Sequence, residues 1–222
     1  MDNPTLVKVN VDTKRIEQIN WMQERFRSFL PVVIDIETGG CNEKTDALLE
    51  LAAIVVGVDN DFNLYKEKTI HYHIKPFEGA NIDNEALKVN GINPYSALRL
   101  ALDECEVLNA TFKKIRESLG NYQCTRAILV GHNSFFDLKF MNEAISRCKI
   151  RNNPFHKFSS LDTATLGALA YQNTVLSRIA EAAGYEWDSD AAHSALYDAQ
   201  VTADIFCKIF NSYDTLVSPT MG

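Results

Sequence analysis

The chain has no run of 18 apolar residues, the least that a bilayer span needs, so no membrane helix is expected. Its opening stretch, MDNPTLVKVNVDTKRIEQIN, lacks the apolar core of a secretory signal. Cysteine is sparse. Cys41, Cys105, Cys124, Cys148 and Cys207 are scattered, odd in number and nowhere spaced as CxxC. That pattern predicts reduced thiols in a cytoplasmic protein. Internal repeats, low-complexity tracts and Pro/Gly linkers are missing as well. Basic charge is short: 22 Lys and Arg stand against 29 Asp and Glu, a net charge of −7. Nucleic acid ordinarily asks for a basic surface. A local basic patch remains compatible with this total, and acids gathered at a metal site would add to the deficit. What is present is ordinary for a soluble globular protein: 222 residues, 46% of them hydrophobic, and a mean hydropathy of −0.16. That length is ample for a core.

Residues 1–24 read as an N-terminal arm or helix, 25–212 as the main domain and 213–222 as a tail. PVVIDIET (31–38), ALLELAAIVVGV (47–58) and YKEKTIHYHIKP (65–76) read as three strands, joined closely enough for an antiparallel meander. Helical text follows: 84–90, ended by Gly91, then a long amphipathic stretch over 100–120. AILV (127–130) is a fourth strand with a helix after it from about Phe135 to Cys148. A short strand near 158–162 precedes helical text to about Ala183, and a last helix covers about Ser194 to Phe210. Strands first in succession and then alternating with helices predict one α/β domain with a mixed sheet.

The first strand carries an anomaly. VVIDIETGGC is apolar enough to be buried, yet Asp35 and Glu37 sit inside it. Residues two apart in a strand share a face, so the two carboxylates lie side by side. Burying even one of them unpaired costs several kcal/mol. Two more acids interrupt apolar patterns. Asp137 shares a helix face with Met141, Ala144 and Cys148, and Asp198 shares one with Ala195, Thr202, Ile205 and Ile209. Any one of the four is explained as a cap or a surface charge. Four together predict a cluster of oxygen ligands for hard cations, Mg²⁺ or Mn²⁺. Two such ions about 3.5–4 Å apart form a clamp for in-line displacement at phosphorus. His193, just ahead of the last helix, can then reach over the metal that Asp198 holds and take a proton from water. His71 and His73 share a strand face and could also ligate a metal, but a half-exposed strand explains them. His132 and His156 have no partner that spacing reveals.

IDIET (34–38), HNSFFD (132–137) and HSALYD (193–198) resemble, in that order, the three motifs of the DEDDh 3′-to-5′ exonucleases. Longer segments, among them RFRSFLPVVIDIETGG, TDALLELAAI, EALKVNGI and RNNPFHKFSSLDTATLGALA, are similar to the ribonuclease T family of bacteria, over about residues 24–210. The resemblance implies a ribonuclease-H-like fold, a mixed five-stranded sheet flanked by helices. It implies Asp35, Glu37, Asp137 and Asp198 as ligands of two Mg²⁺ ions, with Mn²⁺ as substitute, and His193 as general base. It adds Asp162 as a further acid at the site; capping of the following helix is the alternative for that residue.

Such enzymes trim the 3′ ends of tRNA and other stable RNAs, releasing nucleoside 5′-monophosphates, and also degrade single-stranded DNA. They act as homodimers in which each subunit lends a basic patch to the other. Arg25, Arg27, Arg126 and Arg151 match that patch, while Gly120 and Asn152 stand where the family has lysine or arginine. Thr38 of the first motif, Glu85, Phe136 and Phe158 match substrate contacts. Cys41 and Val89 stand where the family stacks terminal bases on phenylalanine. Two other functions share these motifs: a DNA proofreading or repair exonuclease, and a non-catalytic nucleic-acid-binding domain. A broken acid set would mark the last, and here the set is whole.

Overall fold

The computed structural model describes the backbone of residues 4–217 and the side chains of residues 13–213. Helix α1 (Pro4–Arg25) leads into β1 (Phe29–Thr38), β2 (Leu48–Val58) and β3 (Leu64–His73). After them come α2 (Asn84–Asn90), a short 3₁₀ turn (Ala97–Arg99), α3 (Glu104–Asn121), β4 (Arg126–Gly131) and α4 (Phe135–Arg147). The chain closes with β5 (Phe155–Asp162), α5 (Thr163–Tyr171), α6 (Leu176–Ala182) and α7 (Ala195–Val217).

One five-stranded sheet, in the order β3-β2-β1-β4-β5, organises these elements. β1, β2 and β3 pair antiparallel, as the short connections predicted; β4 joins β1 parallel and β5 joins β4 parallel. β2 is buried along its entire length, as a strand covered on both faces must be. Phe112 and Ile115 of α3, Phe140 and Met141 of α4, and Ala199, Ala203 and Phe206 of α7 complete the main core with it. The chain ends of three elements, the C-terminal half of β1 and the first turns of α4 and α7, are where the acids stand.

Two expectations change. The stretch over 100–120 does not begin helically: Leu102 bridges to Ile74 beside the end of β3, and the helix starts only after Asp103 caps Cys105 N–H. Pairing with the sheet outweighs helical propensity there. The cysteines are not all thiols either. Cys105 and Cys148 are joined by a disulfide across 43 residues, with Cys41, Cys124 and Cys207 free. Spacing gave no hint because the start of α3 meets the end of α4 only in three dimensions. Glu104 and Arg147, next to the two cysteines, form a two-pronged ion pair at the same junction.

Candidate active site

Alternation in β1 turns Asp35 and Glu37 to the same face, where both are half-buried among the buried Ile34, Ile36 and Thr38. Asp137 arrives from the first turn of α4 and is buried. Its carboxylate accepts a hydrogen bond from the Ile36 N–H, which ties the helix start to β1. The approach needs glycine at 131. A Cβ there would lie 3.1 Å from Ser134 Cα and 3.2 Å from Asp137 Oδ2.

Asp198 lies in the first turn of α7, the helix that crosses β1, β2 and β3. Its Oδ2 accepts the His193 backbone N–H at 3.2 Å, while Oδ1 is buried without a partner. His193 is exposed on the entering loop with a left-handed backbone (φ 64°), a conformation uncommon for histidine that the loop imposes. One donor atom each from Glu37, Asp198 and His193 lies within 4.8 Å of the others.

Charge is badly balanced here. Burial lifts the Asp35 carboxyl far above the usual carboxylate range, and the charges of Asp137, Asp198, Glu37 and Glu50 lift it further. Burial, then Asp198 and Glu50, push Glu37 up to about 8, against a hydrogen bond from the Asn90 side chain. Burial raises Asp137 as well, opposed by backbone N–H groups. Asp198 is raised by burial and held back by His193. No cation among the described residues is paired with any of the four in a salt bridge. Oxygen donors that repel one another, with a buried carboxylate oxygen lacking any hydrogen-bond donor, suit hard divalent cations. The residues present therefore fit the metal that the motif pattern implies.

Asp162 has both roles in reach. Its Oδ1 accepts from Ala164 and Thr165 N–H and so caps α5. Its Oδ2 accepts from the Ser134 N–H at 2.7 Å and the Ser134 hydroxyl at 3.1 Å, which fixes the start of α4 three residues before Asp137. The Thr38 hydroxyl is turned inward and donates to Gly40 O at 2.6 Å. Asp46 folds the loop that carries Cys41. It accepts from Asn42 N–H, the Thr45 hydroxyl and the Asn81 amide. Asp83 N–H, at the cap of α2, donates to Gly39 O, and Asn90 at the far end of α2 donates to Thr38 O. Thus Glu85 and Val89 ride on a helix pinned at both ends to the end of β1 and its loop.

Val89 is 61% exposed, Cys41 is exposed, and Glu85 pairs with Lys88 at 2.6 Å on the surface. Phe136 is half-buried and packs on Phe140 at 4.9 Å. Phe158 stands out into solvent, 78% exposed, edge-on to His156. Arg126 and Arg151 line one hollow with Phe158, joined by Lys149 and Lys157 and opposed by Glu143. Arg25 borders a separate apolar hollow with Leu169, Phe210 and Tyr213. The exposed Arg27 lies over the Phe29 ring.

Three residues at the site escaped the sequence reading. Glu50 is buried in β2 directly opposite Glu37. The signal for it was present: an acid inside ALLELAAIVV breaks an apolar strand just as Asp35 does. Ser134 and Asn90 act through hydrogen bonds that only the folded chain reveals.

A family model described as exonuclease matches residues 32–206. The chain is 50% identical to ribonuclease T of Vibrio campbellii over 196 residues, 88% of this chain and 92% of that one. It is 49% identical to ribonuclease T of Salmonella typhimurium over 199 residues, 90% of this chain and 93% of that one. Among solved structures it resembles the nuclease domain of 3′hExo, a DEDDh family member bound to rAMP, with a TM-score of 0.62 at 17% identity. That match covers 82% of this chain and 92% of the other. Escherichia coli exonuclease I in complex with a dT13 oligonucleotide matches with a TM-score of 0.64 at 19% identity, over 85% of this chain and 42% of the other.

Proposed function

The chain belongs to the ribonuclease T family of exonucleases, and from that premise we propose which 3′ ends it acts on and how. It is a 3′–5′ exoribonuclease. We propose that its substrates are the 3′ ends of tRNA and other stable RNAs, with single-stranded DNA 3′ ends accepted as well. The observation that carries the mechanism is the uncompensated carboxylate cluster, with Asp198 Oδ1 buried and unpartnered. A DNA proofreading or repair role is the second reading. The relatedness to ribonuclease T over almost the whole chain favours RNA.

Two divalent cations, Mg²⁺ or in its place Mn²⁺, supply when bound positive charge at the scissile phosphate. Asp35, Glu37, Asp137 and Asp198 would hold them. His193 takes the proton of the attacking water onto its imidazole as the water oxygen bonds to phosphorus. The bond from phosphorus to the 3′ oxygen of the preceding nucleotide breaks, and that oxygen takes a proton from solvent water. A nucleoside 5′-monophosphate leaves, and the shortened chain keeps a free 3′ hydroxyl. Asp162 acts as a positioning residue through Ser134 and α4. Phe136 and Phe158 offer faces for the terminal bases, and Glu85 a hydrogen-bond acceptor. Thr38 holds the turn after β1 beneath them. Cys41 and Val89 replace two stacking faces with small apolar surface.

Arg25, Arg27, Arg126 and Arg151 are assigned to phosphate contacts, lent between the subunits of a homodimer. A cytoplasmic site of action belongs to the same reading, carried by the family resemblance and not by the cysteines, since Cys105 and Cys148 are joined. Among the described residues no helix is long and apolar enough to cross a membrane. The substrate assignment is tested by incubating the purified chain with tRNA precursors that carry a few extra 3′ nucleotides, alongside single-stranded DNA of matched length. Trimming to the mature tRNA end is expected. Faster digestion of the DNA with the precursors left untouched would favour the second reading.

A further inference from the structure

Glu50, the lone acid of β2, has unlike neighbours on its two sides. On one side it faces Glu37 of β1, and on the other His73 of β3. His71, two residues back along β3 and opposite Ala52, points to the same face. Glu50 Oε1 lies 2.5 Å from His71 Nε2. The two imidazoles meet edge to face with centroids 4.9 Å apart. One donor atom each from Glu50, His71 and His73 lies within 4.8 Å of the others.

A plain ion pair between His71 and Glu50 explains the short contact and nothing else. It leaves His73 Nδ1 sealed from solvent with no hydrogen-bond partner, an uncompensated buried polar atom. Arg99 does not complete the pair. Its guanidinium is directed at the carbonyls of Leu49, Ile74 and Pro94.

We propose that Glu50, His71 and His73 form a second metal site, adjoining the carboxylate cluster at Glu50, that takes a borderline cation such as Zn²⁺. Two imidazoles and one carboxylate are a recurrent Zn²⁺ donor set with an open fourth position, whereas hard cations select oxygen. Zn–N and Zn–O distances of about 2.0–2.2 Å place neighbouring ligand atoms about 3.3–3.5 Å apart in a tetrahedron. His71 and Glu50 therefore part by about an ångström and His73 moves in. Glu50 anchors the site from the buried side, and the half-buried histidines leave a way in from solvent. The cation sits one strand away from Glu37, in the same row across the sheet. Its charge offsets that of Glu50, which bears on Asp35, Glu37 and Asp198. The site itself does not depend on the nuclease reading; only this electrostatic consequence does.

The test uses Co²⁺ as a visible-light probe of Zn²⁺ sites, titrated into the metal-stripped full chain under saturating Mg²⁺. One Co²⁺ per chain with intense tetrahedral absorption is expected, displaced by stoichiometric Zn²⁺. His71→Gln and His73→Gln should each weaken Co²⁺ binding by at least ~10-fold, the loss of one ligand in three. His193→Ala and Asp198→Asn should leave the band in place. Because the glutamine variants could misfold, the unaltered chain provides a second measurement: Zn²⁺ should protect His71 and His73 from diethyl pyrocarbonate. No tetrahedral band in the unaltered chain would overturn the proposal. So would a band that survives His73→Gln and disappears in His193→Ala, or histidines that Zn²⁺ leaves unprotected.

Discussion

At the scale of the residue, Asp35, Glu37, Asp137 and Asp198 oppose folding and enable chemistry. Each is lifted by burial and by its neighbours. Replacing any one by its amide should therefore have two opposite effects. Turnover on a labelled oligonucleotide should fall by at least ~100-fold, as charge stabilisation of the transition state is lost. The melting temperature in excess EDTA at pH 8 should stay level or rise, because a repulsive charge has gone. A variant that loses both activity and metal-free stability would show that the carboxylate serves the fold instead. His193 differs, being exposed, bonded to Asp198 through its backbone N–H, and carrying a ring nitrogen within 4.8 Å of carboxylate oxygens of Glu37 and Asp198. His193→Ala should slow hydrolysis by roughly 10²–10⁴-fold, the range of a positioned base, while Mg²⁺ binding measured by calorimetry persists. Cys41 and Val89 are exposed where a base could lie, yet neither has a ring. Stacking is worth about 1–3 kcal/mol per base. Cys41→Phe/Val89→Phe should thus tighten grip on 3′ ends and sharpen preference among terminal bases. Equal rates and affinities before and after would remove both positions from the base pocket.

At the scale of the element, the site depends on where three segments begin and end. α4 begins where Asp162 accepts from Ser134, and α5 begins on the same carboxylate. Asp162→Ala removes a helix cap and leaves Ser134 unsatisfied, which should destabilise the chain by about 1–3 kcal/mol. It should also lower kcat by about tenfold with little change in KM, through misplacement of Asp137. Asp162→Asn keeps an acceptor oxygen for one helix and should recover part of the stability. Unchanged kcat in the alanine variant would reduce Asp162 to a cap. Elements were legible in the sequence to the extent that local pattern governs them. β1, an apolar run with two same-face acids, and α2, ended by Gly91, could be read from local pattern alone. What tertiary pairing decides could not be read. Leu102 bridges to Ile74 and delays α3, Phe155 pairs with Ala127 and starts β5 early, and Cys105 meets Cys148 across two helix ends. The acids were legible for the opposite reason. Each violates its local pattern, and a violation is visible without the fold. Glu50 violated its strand too and passed unread.

At the scale of the whole molecule, the cluster couples stability to pH and metal. Burial and the neighbouring acids push the Glu37 carboxyl up to about 8 in the folded, metal-free chain, from an ordinary 4.5. Between these values the folded state binds more protons than the unfolded one, so stability falls as pH rises. Asp35, Asp137 and Asp198, also raised, act in the same direction. The melting temperature in EDTA should decline from pH 5 to pH 8. Mg²⁺ should restore it at pH 8 and do little at pH 5, where protons compete for the same oxygens. Thermal melts at the two pH values with and without Mg²⁺ decide this, and an equal Mg²⁺ effect at both would refute it. The central claim is that this cluster, served by metal, removes nucleotides one at a time from the 3′ end of RNA. The most direct measurement follows a 5′-labelled single-stranded RNA on a sequencing gel while the released nucleotides are identified by chromatography. With Mg²⁺, a ladder shortening by single steps from the 3′ end and nucleoside 5′-monophosphates are predicted, both abolished by EDTA and by Asp198→Asn. Internal fragments, nucleoside 3′-monophosphates, or undiminished release in EDTA would contradict the account.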